Sequence, residues 1–216
     1  MLSDKFSPFT FLSVIFFAGF WGFQQLPHPR HIPRVSETPH SVVPDDSLNR
    51  VRKTFLLRHT VLRPGRISQY DRLIKKYSFR YGFDWRLIAA QIHAESRFNA
   101  RAKSRSGALG LMQILPSTAK HLGKSPHLLL KPEINIALGC LYDRRLYTIW
   151  KEEKGTDRLA FMLASYNAGH RRVIRAQKRA RQPDKWGSIK RHLPGQTRHY
   201  VFKIFKTYAL YKRLVF

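Results

Sequence analysis

The chain of 216 residues is long enough for one domain with a hydrophobic core and an appendage, and it leaves little room for a second full domain. Its 40 Lys and Arg residues against 13 Asp and Glu residues give a formal charge of +27, which favours an anionic partner such as nucleic acid, an acidic membrane face or a carboxylate-rich polymer. The single cysteine, Cys140, excludes an intramolecular disulfide and a cysteine-based metal cage, and we expect it to be a small buried helix residue.

The first element is an apolar segment near the N-terminus. Residues 6–23 carry no charge, and as a helix these 18 positions would extend roughly 27 Å at about 1.5 Å per residue, which nearly spans a bilayer. A cleaved signal peptide is the alternative, but the run is long for one and no clear small-residue cleavage site follows it. We therefore predict an uncleaved membrane anchor over residues 1–26.

Residues 27–66 form the second segment, and their composition is typical of a flexible linker. They are polar and basic, they show no sustained apolar period, and they contain the prolines Pro27, Pro29, Pro33, Pro39, Pro44 and Pro64. A linker of this length would let a tethered domain work tens of ångströms from the membrane, although a disordered basic tail would have the same composition.

The third segment, residues 67–216, has the periodicity of an all-α domain. Helices are predicted over residues 68–81, 85–96, 115–122, 132–150, 157–167, 170–179 and 197–214, and no alternating pattern of strand type competes with them. Asp84 is expected to cap the second helix, Pro132 to occupy the first turn of the fourth, and Gly169 to end the fifth.

Glu95 lies on the apolar stripe of the second predicted helix. Ile88, Ile92 and Glu95 follow at i, i+4 and i+7, so the carboxyl group lies within about 20° of the stripe. Apolar neighbours would raise its pKa and keep it protonated near neutral pH, as a general acid requires. The alternative is a glutamate at the edge of the stripe whose side chain reaches solvent at the helix end.

Three blocks of sequence resemble one enzyme family in order and spacing. Residues 94–123 read AESRFNARAKSRSGALGLMQILPSTAKHLG, against the family pattern ESxFNPxAxSxxGAxGLMQIxPxTA. Residues 164–169 read ASYNAG where the family has AAYNAG, and residues 193–201 read LPGQTRHYV where it has PxETxxYV. From about residue 68 onward the chain therefore resembles the Slt-type lytic transglycosylases of the lysozyme-like superfamily, and it looks most like the catalytic module of the membrane-bound lytic transglycosylase F group.

The resemblance implies a lysozyme-like helical domain and a role for each matched residue. It makes Glu95 the lone catalytic acid and base. The substrate-binding residues that it implies are Ser104, Ser106, Met112, Gln113, Tyr166, Asn167 and Tyr200. The two serines match family serines that hydrogen bond the sugar or the glutamate, the methionine and glutamine would line the cleft, and the SYNAG tyrosine and asparagine would face the scissile bond. Taken alone, each serine is more simply a loop-stabilising hydroxyl, and the methionine a core filler.

The resemblance also implies a reaction with one carboxyl group, whereas ordinary glycosidases use two. In it, Glu95 protonates the oxygen of the MurNAc–GlcNAc β-1,4 bond in peptidoglycan. The resulting carboxylate takes the proton of the MurNAc C6 hydroxyl, which attacks C1 and leaves a 1,6-anhydro-MurNAc end without water, metal or cofactor. Six further acids of the domain lie outside the three blocks, and we expect them at the surface or at helix caps: Glu133, Asp143, Glu152, Glu153, Asp157 and Asp184.

Two positions depart from the family pattern. Ala100 stands where the family has proline, which should loosen a turn without affecting the chemistry. Gln196 stands where the family has glutamate, so an amide replaces a carboxylate contact, which would weaken substrate placement or the fold.

The C-terminal part of the domain is strongly basic. From residue 170 onward the sequence contains fourteen Lys and Arg residues and one acid, Asp184. Nucleic acid is one ligand for such a surface, but no zinc spacing, basic zipper or RNA-binding signature accompanies it. We expect the partners to be peptidoglycan strands, the bacterial membrane through the N-terminal helix, and cell-wall or secretion machinery, with the catalytic domain in the periplasm. The alternatives are a hydrolysing goose-type lysozyme and a non-catalytic module that binds peptidoglycan or nucleic acid.

Overall fold

Helices make up the regular structure of residues 65–215, which are the residues described in this computed structural model. In chain order they are α1 Asp71–Tyr81, α2 Trp85–Ser96, α3 Pro116–His121, α4 Pro132–Ile149, α5 Gly155–Ala168, α6 His170–Gln177, α7 Trp186–Ile189 and α8 Gly195–Leu214, with 3₁₀ turns at Pro126–Leu130 and Lys190–His192. Within this range no strand forms, and two isolated bridges join Leu109 to Lys103 and to Ile114. The prediction of an all-α domain is confirmed.

The predicted helix ends are confirmed where a local side chain or backbone feature sets them. The Asp84 carboxylate accepts the backbone N–H of Arg86 at 2.9 Å and caps α2. Pro132 opens α4, and Gly169, with φ of 83°, follows the last residue of α5. At α1 the prediction was three residues too long, because the carboxylate of Asp71 accepts the backbone N–H groups of Ile67 and Ser68 at 2.8 Å and holds them in a turn.

The core is built around α5. Its residues 160–165 are all buried, as expected for a helix that other helices surround. It packs against α4, α6, α7 and α8, while α2 packs against α1 and α8. Helix α8 therefore touches both α2 and α5, which carry two of the three sequence blocks. Cys140 is free and fully buried in α4, as predicted.

The predicted anchor and the predicted linker up to residue 64 lie outside the described residues. None of the helices between residues 65 and 215 is long and apolar enough to cross a membrane.

Candidate active site

Glu95 occupies the last turn of α2. The residues that precede it on the same helix face, Ile88 and Ile92, are completely buried, and the glutamate continues this face with its side chain only partly exposed. Burial raises the pKa of Glu95 to about 7, against the opposing effects of a hydrogen bond from Tyr200 and of the Lys203 charge. The carboxyl group is therefore close to half-protonated at neutral pH, which suits a group that must give and then take a proton.

Tyr200 is the hydrogen-bond partner of this carboxyl group. Its hydroxyl on α8 donates to Glu95 Oε1 at 2.6 Å, a length typical of a bond to a charged acceptor. The tyrosine ring is 8% exposed, and burial raises the pKa of its hydroxyl well above the usual value, so Tyr200 stays a donor at all physiological pH values. The first and last sequence blocks thus meet in one hydrogen bond.

The loop between α2 and α3 brings the GLMQ residues towards α5. Asn135, fully buried at the start of α4, accepts the N–H of Met112 at 2.7 Å and donates to the carbonyls of Leu109 and Leu129 at 2.9 and 2.8 Å. Gly110 has φ of 76°, and a Cβ there would stand 2.5 Å from the Leu129 carbonyl oxygen. Only glycine fits this position.

Met112 contributes its backbone to the site and its side chain to the core. The side chain is completely buried and packs so closely on α4 that a Cβ at Gly139 would overlap its thioether. It therefore fills the core, which was the alternative role, and does not line a cleft in this structure. The Met112 carbonyl accepts the hydroxyl of Tyr166 at 2.8 Å and so ties the loop to α5.

The other predicted loop residues brace the loop. The hydroxyls of Ser104 and Ser106 lie 2.9 Å apart, and the first also accepts the N–H of Ala108 at 2.9 Å. In this conformation neither serine hydrogen bonds with Glu95. Gln113, with φ of 48°, donates its amide to two carbonyls of the same loop at 3.1 and 3.0 Å. The two serines and the glutamine thus stabilise the loop, and they are separate from the carboxyl group of Glu95.

Tyr166 and Asn167 lie at the C-terminal end of α5. Tyr166 interacts electrostatically with Glu95 and with Tyr200, so the three side chains form one cluster. The side-chain oxygen of Asn167 accepts the hydroxyl of Thr197 at 2.9 Å, which joins the end of α5 to the first turn of α8.

Two buried polar residues beside this cluster were missed by the sequence analysis. Asp143, expected at the surface or at a helix cap, is completely buried in α4, and it accepts the amide of Gln91, also completely buried, at 3.2 Å. The spacing carries a signal for this burial, because Asp143 follows Ile136 by seven residues and precedes Leu146 by three on the buried face of α4.

The prediction for the acids outside the three blocks was wrong at one more position. Glu153 is 6% exposed, because the amide of Gln177 on α6 covers it with a 2.9 Å hydrogen bond. Asp157 is a cap as expected, since it accepts the N–H of Trp186 at the start of α7. The remaining acids are exposed as expected, and they are Glu133, Glu152 and Asp184.

The fold is that of a known class of proteins. Residues 72–189, more than half of the chain, match the family model described as "Transglycosylase SLT domain", and the chain belongs to this family.

Curated relatives named membrane-bound lytic murein transglycosylase F narrow the class. The protein of Desulfosudis oleivorans is 39% identical over 134 residues, which cover 60% of this chain and 29% of that protein. The protein of Vibrio cholerae is 37% identical over 138 residues, which cover 60% of this chain and 24% of that protein. The match therefore spans 24% to 29% of the length of these relatives. The resemblance drawn from the three blocks is confirmed.

Solved structures agree on the fold. The 70 kDa soluble lytic transglycosylase Slt70 of Escherichia coli matches with a TM-score of 0.63 and 28% identity, covering 76% of this chain and 26% of that one. A complex of the 70 kDa soluble lytic transglycosylase with bulgecin A matches with a TM-score of 0.57 and 30% identity, covering 67% of this chain and 24% of that one. The predicted lysozyme-like helical domain is confirmed.

Proposed function

We propose that this chain is a lytic transglycosylase that cleaves the MurNAc–GlcNAc β-1,4 bond of peptidoglycan and leaves 1,6-anhydro-MurNAc ends. The observation that carries the proposal is the state of Glu95, a partly exposed carboxyl group with a pKa of about 7, bonded to Tyr200 at 2.6 Å. The names of the relatives and of the solved structures support the same activity for the domain that they share with this chain.

The chemistry follows from one carboxyl group used twice. Protonated Glu95 gives its proton to the glycosidic oxygen, and the bond from that oxygen to C1 of MurNAc breaks. The Glu95 carboxylate, stabilised by the Tyr200 hydroxyl, then takes the proton of the C6 hydroxyl as its oxygen bonds to C1. No water enters, and Glu95 ends protonated, ready for the next strand.

Among residues 65–215 no acid with exposed surface interacts with Glu95, which favours this route over hydrolysis by two acids. Asp143 interacts electrostatically with Glu95, but its side chain has no exposed surface with which to reach a sugar or a water. A hydrolysing goose-type lysozyme stays the alternative within the same fold, because a water held by other groups would give a hydrated end.

The remaining site residues are proposed to position the sugar. Ser104, Ser106 and Gln113 belong to the braced loop, and Tyr166 and Asn167 lie where α5 meets that loop and α8. Without substrate, the two serine hydroxyls would stabilise the loop by bonding to each other. When a sugar binds, they would exchange that bond for hydrogen bonds to the sugar.

We also propose a location in the bacterial cell envelope. The apolar run at residues 6–23 would anchor the chain, the segment up to residue 66 would serve as a linker, and the domain from residue 67 would act in the periplasm. The relatives named membrane-bound support this arrangement. Cell-wall or secretion machinery are candidate partners of such an enzyme.

The test is a digest of purified sacculi by the 216-residue chain, with the released muropeptides read by mass spectrometry. Wild type should release anhydro ends, and Glu95→Gln should release none. Glu133→Gln is the matched control, since this exposed glutamate pairs with Lys76 on α1, and it should behave as wild type. Hydrated ends would move the assignment to a lysozyme, and binding without cleavage would leave a non-catalytic module.

A further inference from the structure

A second carboxyl group lies behind Glu95, and the proposed reaction does not use it. Asp143 on α4 and Gln91 on α2 are both completely buried, and the Gln91 amide donates to Asp143 Oδ1 at 3.2 Å. Gln91 is four residues before Glu95, so it lies one turn down the same helix face. The pair therefore joins α2 to α4 directly beneath the candidate catalytic group.

The surroundings of Asp143 do not support a negative charge. A buried carboxylate needs a cation or several hydrogen-bond donors, and Asp143 has one neutral amide donor. Glu95 from α2 acts on it electrostatically, and Asp143 in turn interacts with Tyr142 and Cys140 from α4, Tyr166 from α5 and Tyr200 from α8. No cation is among these groups in the described part of the chain. Burial above all, and then the Glu95 charge, raise the pKa of Asp143 well above its usual value, and the Gln91 bond offsets this only in part.

Two orphaned oxygens indicate where the proton lies. Asp143 Oδ2 and Gln91 Oε1 are both buried, and neither has a hydrogen-bond partner. A protonated carboxyl group and an amide can form two bonds at once, N–H to one oxygen and O–H back to the other. With a proton on Oδ2, Asp143 would satisfy both orphans through the partner that it already contacts. An ionised Asp143 would leave both acceptors unsatisfied, which is costly in a core.

We propose that Asp143 is protonated at neutral pH and, through a two-bond acid–amide pair with Gln91, is a positioning residue that fixes α2 on α4 without placing a second charge beside Glu95. Glu95 then titrates alone. The role toward Glu95 rests on the proposed function of the site, whereas the proton on Asp143 does not.

The proton can be observed in the unaltered protein. The 216-residue chain, labelled with ¹³C only in aspartate side-chain carboxyl groups, is titrated by NMR up to about pH 8, where ordinary aspartates are ionised. One signal should keep the shift of a protonated acid, and Asp143→Asn should remove it. Asp184→Asn, a change at an exposed aspartate, is the matched control and should leave that signal in place. Ionisation of every aspartate signal below about pH 6 would overturn the proposal.

Asp143→Asn then tests the role, because an asparagine amide can replace the neutral acid in both bonds. A group with a raised folded pKa loses its stabilising contribution as pH rises from the unfolded pKa towards the folded one. The melting temperature of wild type should therefore fall relative to that of Asp143→Asn as the pH rises from about 4 to about 8.

The pH profile of sacculus cleavage distinguishes a neutral Asp143 that positions α2 from a charged Asp143 that acts on Glu95. We expect the basic limb of Asp143→Asn to stay within about 0.3 pH unit of wild type, since a neutral group replaces a neutral group. A charged Asp143 would instead raise the pKa of Glu95, and its removal would move the limb down by about one pH unit or more, which would refute the proposal. If wild type cleaves nothing, the proposed function fails while the NMR and melting results still decide the state of Asp143.

Discussion

Removal of the Tyr200 hydroxyl should change the pH range in which the enzyme works. In wild type this hydroxyl donates to Glu95 Oε1 at 2.6 Å and lowers the pKa of a carboxyl group that burial has raised to about 7. A hydrogen bond to a charged group contributes about 1.5–3 kcal/mol, and the protonated carboxyl group keeps part of that bond. A difference of about 1.4 kcal/mol between the two states corresponds to about one pKa unit. In Tyr200→Phe the pKa of Glu95 should therefore rise by about one unit.

The assay is kcat/KM for sacculus cleavage between about pH 5 and about pH 9. Because the first step needs protonated Glu95, the basic limb of Tyr200→Phe should move about one pH unit upward. Tyr208→Phe is the matched control on the same helix, since its hydroxyl donates to Asp84 Oδ2 at 2.9 Å, and its limb should coincide with that of wild type. A limb that stays in place or moves downward in Tyr200→Phe would refute the reasoning that this hydroxyl sets the ionisation of Glu95.

Three further predictions concern stability, and denaturant unfolding measures them all. Glu95→Gln should stabilise the fold by up to about 3 kcal/mol at about pH 8 and not at about pH 4. The reason is that a carboxyl group with a folded pKa of about 7 destabilises the fold as pH rises from its ordinary pKa of 4.5. Equal gains in stability at both pH values would contradict the raised pKa of Glu95. Asn135→Ala should cost about 3 kcal/mol or more, because it removes three hydrogen bonds and leaves the buried Met112 N–H and Leu129 carbonyl unpaired, and a cost under about 1 kcal/mol would count against the loop assignment. Gly139→Ala should cost about 1–3 kcal/mol by overlap with Met112, and the two costs of Gly139→Ala and Met112→Ala should not add.

The helices could be predicted from sequence because their buried faces repeat at the helical period. The errors fall where one side chain or a very short segment decides the structure. Asp71 delays the start of α1 by binding the N–H groups before it, and α7 has four residues, too few for a period to show. The cap at Asp84 could be predicted because its acceptor and donor are two residues apart.

The candidate catalytic residue, Glu95, could also be predicted, because it lies on an apolar helix face and in a family sequence block. The polar residues around it could not be predicted. Glu95 and Tyr200 are 105 residues apart, and only their family blocks link them in the sequence. Gln91 and Asp143 are 52 residues apart and belong to no block, and the rule that acids lie at the surface outweighed the helical spacing that placed Asp143 inside.

The docking of α8 controls more than packing. Because α8 supplies Tyr200 and its first turn donates a hydrogen bond to Asn167, the site is complete only when a helix from the far end of the domain has joined α2 and α5. Contacts of such long sequence separation form late in folding, since the loop between them must close first. A chain whose α8 has frayed or been clipped would keep the helix that carries Glu95 but lose the donor that tunes it. Loss of α8 would therefore change the pKa of Glu95 as well as the packing of the domain.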